Sequence, residues 1–114
     1  MASSFQTSDA GANQSQQPIR VATRREHIFV AAKEMAHDMK GWETVSADED
    51  ALRIVCKKDG GMLGGKATIT IQIEGSEEVP STTVNCRCDV EGGLMSKPKS
   101  IVEGYMKLLF RRVC

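Results

Sequence analysis

Two runs of strict apolar–polar alternation constrain this chain more than any other feature. Ala67, Ile69, Ile71 and Ile73 alternate with Thr68, Thr70, Gln72 and Glu74. Val84, Cys86, Cys88 and Val90 alternate with Thr83, Asn85, Arg87 and Asp89. Successive side chains of a strand point to opposite faces, so each run predicts a half-buried antiparallel strand, dry on one side and wet on the other. Cys86 and Cys88 fall on the dry side. That position reads as core thiols rather than a metal or redox centre.

A helix is expected over residues 23 to 40. Thr23 and Glu26 have capping-box spacing. Ile28, Ala32, Met35 and Met39 then form one helical stripe. Gly41 suits the left-handed position after the last turn, and Trp42 can fold back on that turn. Residues 42–46 and 51–58 read as a hairpin around the polar turn 47–50, with Leu52, Ile54 and Cys56 inward. A second helix begins after Ser96, with Pro98 in its first turn. It carries Ile101, Val102, Tyr105, Met106, Leu108, Leu109, Phe110 and Val113. Gly104 inside that helix suggests close packing there. Residues 18–22 can add a short strand before the first helix.

The predicted fold is therefore α+β. It is a two-layer sandwich in the order (β)-α-β-β-β-β-α, a four-stranded antiparallel meander with two helices packed on one face. In element order this layout resembles the lipid-binding helix-grip proteins and the kinase-associated membrane-targeting domains. Residues 1–17 hold one large apolar side chain, Phe5, among Ser, Gln, Ala and Asn. They are expected to be a disordered tail without a secretory h-region, followed by a single α+β domain over 18–114.

Charge and motifs narrow the function. With 15 basic and 15 acidic side chains the chain lacks the basic excess typical of nucleic-acid binding. No apolar run reaches membrane-spanning length. Four cysteines without secretory context point to reduced thiols and the cytoplasm. Gly60 to Ala67 approaches a phosphate-binding loop. However, Ala67 replaces the hydroxyl residue that holds magnesium, and residues 67–74 alternate as a strand where the motif needs a helix. Cys86 and Cys88 lack further ligands at zinc spacing, so neither metal nor cofactor is expected. His27 and His37 have no nucleophile or orienting partner, and no catalytic residue is assigned.

The remaining class is a small non-enzymatic binding or interaction module. Its expected binding residues are Lys107, Phe110, Arg111 and Arg112 on the last helix, with Met62 and Leu63 in the glycine loop. From Met95 to Cys114, five cations face Glu103 alone, a net of +4. Phe110 lies about 140° around the helix from Tyr105, so both cannot face one core squarely. Protein–protein contact, a homodimer included, is the leading expectation. The alternatives are an anionic lipid surface, a small apolar or anionic ligand between helices and sheet, or a thiol-dependent enzyme, for instance through Cys56 and His37.

Overall fold

In the computed structural model, residues 2–59, 65–76, 78–92 and 97–113 are described. The alternating runs form the two longest strands. They pair antiparallel with Ile69 opposite Cys88 and Ile71 opposite Cys86. Six strands make one sheet: β1 (Ala2–Gln6), β2 (Ile19–Val21), β3 (Trp42–Asp48), β4 (Arg53–Asp59), β5 (Lys66–Gly75) and β6 (Thr82–Glu91). The order is β1-β6-β5-β4-β3, and β2 also pairs with β6. The α+β class with an antiparallel sheet holds, and among the described residues the strand count is six rather than four. The α-helices among these residues are α1 (Arg25–Asp38) and α2 (Pro98–Val113).

The dry face is continuous. Ile54, Ile69, Ile71, Val84, Cys56, Cys86 and Cys88 are fully buried in one cluster with Ile28, Ala32, Val102, Tyr105, Met106 and Leu109 from the helices. Tyr105 ties the two helices together. Its hydroxyl donates to the Ala32 carbonyl oxygen at 2.8 Å, and its ring stacks on Trp42 with centroids 5.3 Å apart. That stacking holds Trp42 against the core where the chain turns into β3. Gly41 supplies the turn at φ +82°, a conformation glycine adopts without steric cost.

Residues 1–17 differ from the expected tail. Ala2–Gln6 pair with Glu91–Arg87 along the outer edge of β6. Thr7 continues the ladder: its amide donates to the Cys86 carbonyl at 3.0 Å, and its buried hydroxyl accepts from the Cys86 amide at 3.1 Å. The chain then leaves the sheet and returns as β2, opposite Val84–Thr82. One edge strand is thus interrupted by an excursion over residues 8–18. The excursion closes on itself. Ser8 donates to the Gln16 carbonyl, Ala12 to the Gln16 side chain, and Asp9 pairs with Arg20 at 2.8 Å. Backbone pairing on a sheet edge offers this polar segment the partners that its composition could not announce.

Three local expectations change. The N-cap of α1 is Arg24, with no side-chain cap bond, so Thr23 and Glu26 do not form a capping box. The Thr82 hydroxyl instead donates to the Thr23 carbonyl and fixes the entry from β2. Gly104 is not tightly packed, since a β-carbon built there meets no atom within 4 Å. The stripe of α1 turns toward Phe29 and Ala36, which are buried, while Met35 and Met39 pack at the rim. Met62, Leu63 and Ser96 lie outside the described residues. Lys66 and Ala67 open β5, so the approximate phosphate-loop motif runs into a strand.

Candidate functional site

On α2, residues four apart share a face. Val102, Tyr105, Met106 and Leu109 take the core face. Lys107 and Arg111 stand one position after Met106 and Phe110 respectively, so a cationic stripe runs beside an apolar one. The 8–18 excursion lies against this helix. Gln16, buried, donates through Nε2 to Glu103 Oε2 at 3.2 Å, and the Ser15 hydroxyl reaches the same oxygen at 3.4 Å. Between the excursion and the helix runs a groove of about 420 Å³. Asn13, Gln14 and Ser15 line one side and Met106, Lys107, Phe110 and Arg111 the other.

Of the four site residues expected on the last helix, the structure therefore brings three together and separates the fourth. Lys107, Phe110 and Arg111 line the groove. Arg112 points away and pairs with Asp38 at the end of α1, at 3.4 Å. Phe110 is half-buried against the core rather than projecting outward. The outward apolar residue of α2 is Leu108, 41% exposed. Sequence reasoning missed the wall at Asn13, Gln14 and Ser15, about ninety residues away in the chain. The one available signal was the Asn13 side chain, which caps a single 3-10 turn over Gln14–Gln16 by accepting from the Ser15 amide.

A second groove, about 580 Å³, lies between α1 and the edge strand β3, lined in part by Val30, Lys33, Glu34, His37 and Asp38. Its lining is mainly acidic, with Glu34, Asp38 and Glu49 against Lys33, and Asp38 is held by Arg112. The charged residues lining the α2 groove are cations alone. Among the described residues, neither Lys107 nor Arg111 makes an ion pair, and Glu103 faces the excursion instead.

The thiols sit elsewhere. Cys56, Cys86 and Cys88 are free and buried on the inner sheet face, whereas His37 is exposed on α1. Burial pushes the Cys86 thiol far up, reinforced by Cys88 and Cys56. Burial, with Asp89 nearby, pushes Cys88 up to about 11. Burial also raises Cys56, partly offset by its contact with the Thr44 hydroxyl. A nucleophilic cysteine needs the opposite, a lowered pKa and an open approach. Among the described residues, no three His, Cys, Asp or Glu side chains are placed to share a metal. Away from the α1–β3 groove, the layer between helices and sheet is filled by side chains, Tyr105, Ile28, Ile54, Ile69, Ile71 and Met106 among them, each no more than 2% exposed.

No helix among the described residues is long and apolar enough to cross a membrane. No family model and no curated protein matches the sequence. In fold, the chain is similar to the crystal structure of Ara h 8.0201, with a TM-score of 0.58 and 11% sequence identity over 99% of this chain and 98% of that one.

Proposed function

We propose that this chain is a non-enzymatic binding module that works by protein–protein contact through the groove between α2 and the 8–18 excursion. The observation that carries the reading is the convergence there of the half-buried Phe110 ring, backed by the buried Met106, with two cations, Lys107 and Arg111, that make no ion pair among the described residues. Aromatic and Arg side chains are enriched in interface cores. The filled interior favours this surface over a ligand held between helices and sheet. The raised thiols weigh against cysteine catalysis, and reduced buried cysteines suit a cytoplasmic setting.

Backbone-amide NMR tests the reading. Peptides of acidic, basic and apolar composition, and a concentration series of the chain itself, are titrated in turn. At least one should shift the amides of residues 13–15 and 106–111 together. Shifts confined to the α1–β3 groove, or none from any probe, would remove the α2 groove as the working surface.

A further inference from the structure

Resting on that reading, we infer that the α2 groove recognises an acidic peptide segment carrying one large apolar side chain. Lys107 and Arg111 are one helical turn apart, so their stems are separated by about 6 Å along the axis. In an extended peptide, alternate side chains on one face are about 6.6 Å apart. Two carboxylates at alternate positions therefore match the two cations. Phe110, half-buried and backed by the buried Met106, supplies the apolar strip beside that row, and the groove of about 420 Å³ has room for a large side chain and adjoining main chain. The opposite wall supplies side-chain amides and a hydroxyl at residues 13–15, groups suited to peptide N–H and C=O.

Charge favours a peptide over an anionic membrane. The groove is concave, and only two cations enter it, since Arg112 is occupied by Asp38. Lipid-binding basic patches usually gather about four to eight cations on a surface that can lie against the bilayer. Glu103 marks one end of the recognised row. Its carboxylate is tied to Ser15 and Gln16, so an acidic residue placed beyond Lys107 would be repelled. The positive field of the groove is therefore short, and so is the matching acidic stretch.

The test is fluorescence anisotropy on the full chain with a short labelled peptide carrying glutamate at two alternate positions and one phenylalanine at the next alternate position, so that all three share a face when extended. The controls replace its glutamates by lysine or its phenylalanine by alanine. Both control peptides should bind more weakly, and added salt should weaken the parent complex. The double variant Lys107→Glu, Arg111→Glu should lose about tenfold in affinity, in the range expected for two exposed ion pairs turned repulsive. Both side chains are exposed, so circular dichroism should show an unchanged fold. Equal binding of the lysine peptide, or an unaffected double variant, overturns the inference. So does binding to phosphatidylserine vesicles through these residues in place of the peptide. If a basic or neutral peptide shifts the groove amides, the acidic partner is wrong while the surface stands. If no probe shifts them, both fail.

Discussion

Replacing Gly104 by alanine should stabilise this protein. The residue lies in the interior of α2, six positions after Pro98 and nine before Val113, where fraying is small. Glycine in such a place costs about 0.8–1.0 kcal/mol relative to alanine, because the unfolded glycine has more conformations to lose. Whether that gain is realised depends on room for the added methyl group. At Gly65 a β-carbon would sit 2.5 Å from the Glu91 and Gly92 carbonyl oxygens, and at Gly11 equally close to the Gln16 carbonyl oxygen, so alanine there would force the backbone apart. At Gly104 nothing lies within 4 Å, and its φ is not in the left-handed region. The gain should therefore be close to the full intrinsic value, about 1 kcal/mol. For a domain of this size that corresponds to a rise in melting temperature of about 4 °C. Thermal melts followed by circular dichroism, with urea titration to confirm an unchanged m value, read the effect directly. A melting temperature that stays put or falls would refute the reasoning. It would mean that the methyl group meets something in solution, and a second copy against the exposed Gly104–Leu108 ridge would be the first candidate to examine by sedimentation.

Three further outcomes are expected. Deleting residues 1–16 should destabilise by at least about 2 kcal/mol in urea titration, from lost burial of the Phe5 ring and the lost Thr7–Cys86 hydrogen bond; unchanged stability would return the segment to the status of a tail. Cys86→Ser should cost about 1–3 kcal/mol, since a hydroxyl enters an apolar layer, and in the native wild type a thiol reagent should modify Cys56, Cys86 and Cys88 only as fast as the protein opens. Stability should fall as pH rises above about 9, where the unfolded thiols ionise and the raised folded ones do not. The contribution is complete below about pH 9 and lost as pH climbs toward the folded values, with a slope of up to about 1.4 kcal/mol per pH unit for a thiol as buried as Cys86. Urea titrations from about pH 8 to about pH 10.5 should show Cys86→Ala flattening that decline, and an identical slope in the variant would count against burial as its cause.

The meander and both helices were legible because periodicity reports a buried face. Ile69, Ile71, Cys86 and Cys88 could point one way only, and all four are fully buried. The edge of the sheet was not legible. Residues 2–6 form a strand because β6 offers unpaired backbone there, and backbone groups are the same in every sequence. The capping box failed for a related reason: Thr82, across the sheet, holds the Thr23 carbonyl and sets where the helix starts. Half of the groove could be read from α2, because Lys107, Phe110 and Arg111 announce charge beside apolar surface. The wall at Asn13, Gln14 and Ser15 could not, and without it Phe110 looked like a surplus outward residue. Arg112 looked equivalent to Arg111 until Asp38 separated them.

The interrupted edge strand has a consequence for how the chain comes off the ribosome. Phe5 pairs opposite Cys88, a separation of 83 residues, so β1 emerges well before its partner strand and must wait for the residues between them. Pairings that close such long loops are slow, and strands that wait exposed tend to aggregate. A segment of Ser, Gln, Asn and Ala with a single aromatic is well suited to waiting, because it offers little apolar surface to a wrong partner before β6 exists. The composition that made it resemble a tail then suits a strand that is made long before the partner it pairs with.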